Sequence, residues 1–525
     1  DNTIVSGDSL GHVKFWEGNM GTMLQKYHQH SAPVLCLTTN EEGTAVFSCG
    51  VDYKCNLFKL VGPKHSKYPH KMRSESIPFW ELVGYRRYHE HEVKALAINE
   101  MNDTLVSGGV DTDLILIPLE NFPNVYCHRI PAFYRDLISL SKTQQLLMYR
   151  SSNGIKLWKL GKAAMPPRSS EMNKVDVMLL PLVERQEAVL EISLKGTLNL
   201  FSSALSEDGH WIAVADVEEV KLFRIEKDPV KHMIVHKIKD FCRIYSQSSK
   251  KFATGAHHLL FAPDNSKLIM VTVDSYVVVV GLNNWHQGRF DVLACFDNHA
   301  RDAEKNKMAS TITTIVVSND SRWLATGDLS NNIYIFNLKN LSHYIPVQKF
   351  QSLQNGLTFS PNSSILLITL TSNEFYLFDL QKENLTDWSR NYSTKLPLKF
   401  LELKEKIMGC TFNPGRPESI LLWSANFICI VDISKEVGDP DQEIDVFLRK
   451  SLLLQTYHDI SSPRGNINHI LQDEISRINF KMIRKYQSLI FVDYVKEDSL
   501  VVVERPRAEI MKTLPPPFAW AKYGT

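Results

Sequence analysis

The sequence predicts an all-β chain assembled from repeated small antiparallel sheets that stack into rings. One pattern recurs along it: a short β-branched run, a turn of Asn, Asp, Gly or Ser, a second run, another turn, and a third run ending in an aromatic residue or Leu. Three copies, Val34–Leu60, Val93–Leu119 and Ile312–Leu338, align without gaps over most of their length. The chain has 525 residues, 44% of them hydrophobic, which suffices for several cores. Its longest apolar runs, around Leu268–Leu282, are interrupted by Asp274 and fall short of the roughly 20 residues a membrane helix needs.

Weaker copies begin near Leu137, Asn199, His258, Gly356, Gly409 and Ile475, with turns centred on Glu207-Asp-Gly209, Pro263-Asp-Asn265, Pro361-Asn-Ser363 and Pro414-Gly-Arg416. The spacing, about 40 to 70 residues, fits WD repeats with inserted loops. With the partial copy Thr3–Trp16 the count reaches about ten blades, more than the roughly four to eight that close one ring. The prediction is therefore tandem WD-repeat β-propellers, the first one incomplete in this chain. Residues 1–122 hold the last blades of the first propeller, 123–506 a second of about seven blades, and 507–525 a C-terminal tail. The boundary is expected at Asn121–His128, where Asn121-Phe-Pro-Asn124 interrupts the strand pattern.

Each copy explains its own residues. One blade cannot bury both of its faces, so its strands run apolar to pack against the next blade. Ahead of the first strand stand His30 and His91, in the second strand Ser48 and Ser107, and in the following turn Asp52 and Asp111. Phe58 and Ile117 occupy the place where WD repeats usually carry Trp, a place that Trp16 and Trp158 hold in their own copies. In WD repeats such His, Ser and Asp side chains hydrogen-bond one another and brace the blade. This register gives His28-Gln-His30 and His89-Glu-His91 a structural reading over a metal site, because no Cys, His or carboxylate cluster accompanies them.

Other chemistry finds little support. There is no Walker-type loop, no G-x-S-x-G elbow, no H-E-x-x-H and no EF-hand loop. Asp8, Asp328 and Asp432 lie in repeat turns or at strand ends, where a short side chain satisfies its own backbone. No catalytic residue, cofactor, metal or small-molecule substrate is expected. The eight cysteines are scattered without a C-x-x-C pair and read as reduced core thiols of an intracellular protein. The aromatic residues at strand ends, such as Phe336 and Phe378, read as core rather than as base-stacking platforms. Asp1-Asn-Thr-Ile-Val-Ser-Gly7 has no Met, basic n-region or apolar h-region, so no signal peptide is expected and the chain reads as part of something longer.

A net charge of +1 gives no global attraction for nucleic acid, so any such contact must be local. The candidate is the insertion Gly62–Phe79, which carries Lys64, Lys67, Lys71 and Arg73 against Glu75 alone and reads as either a solvated loop or an RNA- or partner-binding one. Asn298–Ser310 reads as a solvated linker, and Asp445–Lys485, with its Leu-rich segment Leu448–Leu454, as a stretch able to dock on a partner or on its own propeller.

Ser6-Gly-Asp-Ser-Leu-Gly-His-Val-Lys-Phe-Trp16, the Gly21–Leu24 run and the strand His30–Cys36 resemble the later blades of the first propeller of the cirhin family. Ile407–Ile433, Leu514-Pro-Pro-Pro-Phe518 and Lys522-Tyr-Gly-Thr525 resemble its second propeller and closing tail, and Leu10, where Asp is usual, belongs to the resemblance. Cirhin-like proteins are WD-repeat subunits of the transcription-associated UtpA group of the small-subunit processome. The resemblance implies a nucleolar, non-enzymatic ribonucleoprotein scaffold that joins other UtpA subunits on the 5′ leader of precursor ribosomal RNA, directly or through partners. Its role would be early precursor RNA processing and small ribosomal subunit assembly, linked to ribosomal DNA transcription, with no membrane contact. The alternatives are a WD-repeat adaptor of a ubiquitin ligase or coat, and a propeller enzyme with convergent titratable groups over its channel.

Overall fold

In the computed structural model the described residues are 2–61, 79–120, 122, 127–131, 136–164, 181–195, 198–227, 233–239, 241, 254–301, 311–435, 437, 479–486, 488–497 and 499–517. They form antiparallel sheets of mostly four strands, each strand paired with its sequence neighbour except where the small hairpin Lys162–Ala163 with Leu182–Glu184 stands between the paired strands Gly154–Lys159 and Glu187–Ser193. Two compact units result, one of residues 1–134 with 505–525, the other of residues 135–504.

Among the described residues the first unit holds three blades: Thr3–Gly7, His12–Glu17 and Met23–His28; then Val34–Thr39, Ala45–Gly50, Lys54–Val61 and Phe79–Arg87; then Val93–Asn99, Thr104–Gly109, Asp113–Pro118 and His128–Pro131. Phe47, Cys49, Cys55 and Leu57 of the second blade pack against Val93, Leu105, Ile115 and Ile117 of the third. Phe15 of the first blade stacks on Trp80 of the second, ring centroids 4.8 Å apart. Apolar contact between blade faces, not within them, is thus the core that the repeat pattern predicted.

Among the described residues the second unit holds seven blades, whose innermost strands are Ile138–Ser141, Ser202–Leu205, Ala256–Phe261, Ile312–Val317, Gln354–Phe359, Gly409–Asn413 and Leu489–Lys496. Six have four strands; the seventh, Leu489–Lys496 with Ser499–Glu504, has two among the described residues. The ring closes through Asp493 of the seventh blade, which accepts from Thr411 Oγ1 of the sixth at 2.8 Å and pairs with Lys142 of the first at 2.9 Å.

Turn chemistry sets the repeat. The first turn of successive blades places a small or turn-forming residue in the left-handed region: Gly209 (φ 69°), Asn265 (58°), Ser321 (56°) and Ser363 (57°). These turns also lock onto one another. Glu207 N donates to Asn265 Oδ1 at 3.1 Å, Asp264 N to Ser321 Oγ at 2.9 Å, and Asp320 N to Ser363 Oγ at 3.3 Å, so four consecutive blades are hydrogen-bonded turn to turn.

Four sequence expectations change. Each copy read as three strands; an outer fourth strand is present in most blades, and Phe79, assigned to the basic insertion, opens one of them. The boundary expected at 122/123 precedes His128–Pro131, which pairs with Asp113–Leu116 as the outer strand of the third blade, and the division falls at 134/135. The tail belongs with the first unit and starts at Arg505, its helix Arg507–Thr513 held by Arg507 to Asp113 at 3.1 Å and to Glu90 at 2.9 Å. The copy placed near Ile475 is instead the outer strand Phe480–Ile483 of the sixth blade, followed by the seventh blade from Leu489. Short apolar runs do not distinguish an outer strand from the inner strand of the next blade.

Candidate functional site

A propeller binds through surfaces that its blades hold rigid, so the groups that brace each blade come first. In the second blade of the first unit His30, 1% exposed, spans the strand ends: Nδ1 meets Asp52 Oδ1 at 2.8 Å and Nε2 meets Ser48 Oγ at 2.8 Å. Phe58 is fully buried at the usual Trp place and has no N–H to give; Asn56 Nδ2, 2.7 Å from His30 Nε2 and 3.4 Å from Ser48 Oγ, takes over the polar part. In the first blade Trp16 keeps that role, its Nε1 donating to Ser6 Oγ at 2.8 Å.

The third blade corrects the sequence reading. His89, not His91, makes the brace, with Nδ1 2.9 Å from Asp111 Oδ1 and Nε2 2.9 Å from Ser107 Oγ. His89 stands as far ahead of Val93 as His30 stands ahead of Val34, so counting from the inner strand selects it. His91 lies 3.1 Å, through Nε2, from the Pro515 carbonyl of the tail. A further brace lies where a linker was expected: His299, 1% exposed, reaches Asp328 Oδ2 at 2.7 Å and Thr326 Oγ1 at 2.8 Å.

Burial opposes ionisation of Asp52 and Asp111. For Asp52, the hydrogen bond and charge of His30, the Ser31 N–H and Lys54 outweigh it and hold the carboxyl below the ordinary value of 3.8. For Asp111, His89 and the N–H groups of Glu90 and Asp113 do the same. Between the first and second blades of the second unit Glu207 behaves oppositely: burial raises its pKa despite the N–H groups of Thr143 and Lys142, which both donate to its Oε1 at 2.9 Å.

The carboxylates singled out in the sequence are locally engaged. Asp8 accepts from Leu10 N and His12 N, both at 2.9 Å, and pairs with Lys14 at 2.9 Å. Asp432 Oδ1 accepts from Ser434 N at 3.1 Å and Oγ at 2.6 Å. Among the described residues no group of three or more His, Cys, Asp or Glu could hold a metal ion, and no helix is long and apolar enough to cross a membrane. No disulfide joins the described cysteines; Cys49, Cys55 and Cys429 are buried, Cys295 is exposed, and burial pushes the Cys429 thiol up to about 12. Lys64, Lys67, Lys71 and Arg73 lie outside the described residues, as does most of Asp445–Lys485.

Stacked four-stranded blades, a closing ring and repeated His–Asp–Ser/Thr braces define a class: the chain is a tandem WD-repeat β-propeller protein. The WD domain, G-beta repeat family matches residues 21–59 and 304–337. Along its whole length the chain is 27% identical to the U3 small nucleolar RNA-associated protein 4 of Schizosaccharomyces pombe, of which it covers 70%. It is likewise 27% identical, over all of the chain and 70% of each relative, to the U3 small nucleolar RNA-associated protein 4 homologs of Mus musculus and Homo sapiens.

Proposed function

We propose that this chain is a non-enzymatic scaffold of the cirhin kind, acting in the small-subunit processome during early nucleolar processing of precursor ribosomal RNA and assembly of the small subunit. The observation that carries this reading is similarity along the entire chain, from the first blade to the tail, to proteins named for association with U3 small nucleolar RNA. The architecture is suited to the task, since blades braced from within and locked to one another turn to turn present loops to several partners with little reorganisation. In this reading the partners are other UtpA subunits and the 5′ leader of the precursor RNA, the place is the nucleolus, and the work is linked to ribosomal DNA transcription. The basic insertion with Lys64, Lys67, Lys71 and Arg73 is the proposed local contact to RNA phosphate or to an acidic partner.

The test is acute depletion followed by Northern analysis of ribosomal RNA. The scaffold reading expects unprocessed precursor to accumulate and small-subunit RNA to fall while large-subunit RNA persists. Unchanged precursor levels after full depletion contradict it.

A further inference from the structure

Three exposed aliphatic side chains occupy the same corner of three consecutive blades in the second unit. Val217 is 45% exposed, Val273 43% and Leu329 52%. Each directly follows the residue whose N–H closes the turn between the second and third strands: Asp216 N donates to Glu219 O at 3.1 Å, Thr272 N to Tyr276 O at 2.9 Å, and Asp328 N to Asn332 O at 3.1 Å. An isolated exposed Val or Leu needs no explanation. A repeat of the same choice at one structural position does, because a turn corner in water gains nothing from a large apolar residue. At the corresponding corner the next two blades carry Thr371 and Ala425, so the apolar arc stops after three blades.

The corners are held in place. Leu329 N donates to Thr311 O at 3.0 Å, Ala256 N to Asp216 O at 3.3 Å, and Gln354 Nε2 to Asp328 O at 2.5 Å. Gly255 lies so close to the Val217 carbonyl that a Cβ on it would sit 1.8 Å from that oxygen. A partner meeting these side chains therefore orders little of the chain. The turns are also acidic. Val217 sits between Asp216 and the pair Glu218–Glu219, and Val273 precedes Asp274, with Glu218 and Asp274 both exposed. Lys221, the next base along the chain from the first turn, is already taken by Glu219 at 2.6 Å and Asp216 at 3.4 Å.

We propose that Val217, Val273 and Leu329, with Glu218 and Asp274, form a docking surface for a partner-protein segment that interleaves large apolar residues with Lys or Arg. Apolar contact supplies the binding, and the acidic turns select a basic over an acidic segment. The turn backbone is engaged within the blades, so recognition runs through side chains rather than by strand addition.

The test measures fluorescence anisotropy of a labelled Leu/Lys peptide, a Leu/Glu peptide of the same length and a mixed-sequence RNA oligonucleotide against the full chain. The expected result is saturable binding of the Leu/Lys peptide alone at this surface. It weakens at least tenfold in Val217→Ser/Val273→Ser/Leu329→Ser and loses most of its salt dependence in Glu218→Gln/Asp274→Asn. Leu293→Ser, at a 39% exposed residue of the outer strand Asp291–Phe296, leaves it unchanged. These side chains are exposed, so unchanged melting of the variants shows that the folds match. No binding of the Leu/Lys peptide, equal affinity in the triple variant, equal loss with Leu293→Ser, or competition by the RNA overturns the proposal.

Discussion

Asp328→Ala is expected to open one blade of the second unit and to leave the first unit untouched. The Asp328 carboxylate is fully buried and, among the described residues, accepts from His299 Nδ1 at 2.7 Å, Asn332 Nδ2 at 3.0 Å, Ser330 N at 2.8 Å and Asn332 N at 2.9 Å. A buried donor left without a partner costs about 1 to 3 kcal/mol. Ser330 is half-buried, so water restores part of the loss there, and the four bonds form one network whose deletions do not add. A net loss of roughly 3 to 5 kcal/mol follows. Hydrogen exchange read by mass spectrometry resolves the effect by segment. Peptides covering Ile312–Val317, Trp323–Asp328 and Ile333–Asn337 should lose protection by about a hundredfold to several thousandfold, at tenfold for each 1.4 kcal/mol. Peptides of Val34–Thr39 and Ala45–Gly50 should not change, and Asp8→Ala, at a partly exposed site, should do far less. A change below tenfold in the target peptides, or an equal loss in the first unit, refutes the reasoning.

Three further outcomes are expected. Gly255→Ala forces a Cβ into the Val217 carbonyl, backbone against backbone, and should lower the melting temperature of the second unit by several degrees; wild-type melting contradicts the packing. Stability should fall in two stages on acidification. His257, whose pKa burial and then the His258 charge lower from 6.5 to about 4, withholds stability as pH drops from 6.5 toward 4, because the unfolded chain takes up the proton first; Asp52 and Asp111, with depressed carboxyl pKa values, contribute fully above about 3.8 and lose their share as pH falls below it. Urea titrations from pH 7 to 3 should therefore be flatter between 6.5 and 4 for His257→Gln, and an unchanged slope contradicts the assignment. Charge reversal of Lys64, Lys67, Lys71 and Arg73 to Glu should leave folding intact and weaken RNA binding across sequences alike, flattening its salt dependence by roughly 0.7 per lost single-strand phosphate contact; identical salt titrations reduce the loop to solvated filler.

The blades were legible because the repeat carries its own redundancy. Three apolar runs and two turns recur, and the left-handed turn residues Asn265 and Ser363 sit in the turns that Pro263-Asp-Asn265 and Pro361-Asn-Ser363 marked. The outer strands were not legible, since Phe79–Arg87 and His128–Pro131 follow insertions of different length and alternate no more regularly than loop. The braces were half legible. Ser48, Ser107, Asp52 and Asp111 fell into register, but His91 drew the place of His89 because both stand in one H-x-H pair. His299 was hidden by the polar stretch after it; its distance ahead of Ile312 differs from that of His30 ahead of Val34, so no fixed offset found it. That Asn56 would replace the missing Trp N–H beside Phe58 depends on cross-strand pairing of Ser48 with Asn56, which appears only once register is known. The apolar corner arc was equally hidden, since only the aligned turn hydrogen bonds put Val217, Val273 and Leu329 at one structural position.

The central claim, a scaffold of precursor ribosomal RNA processing, is tested most directly by the RNA and protein inventory of the affinity-purified native complex. U3 small nucleolar RNA, precursor ribosomal RNA containing the 5′ leader, and other WD-repeat and helical processome subunits are expected, with the protein partners retained in part after nuclease treatment. Recovery of a ubiquitin-ligase core or a membrane coat, with neither RNA enriched over a mock purification, would contradict it.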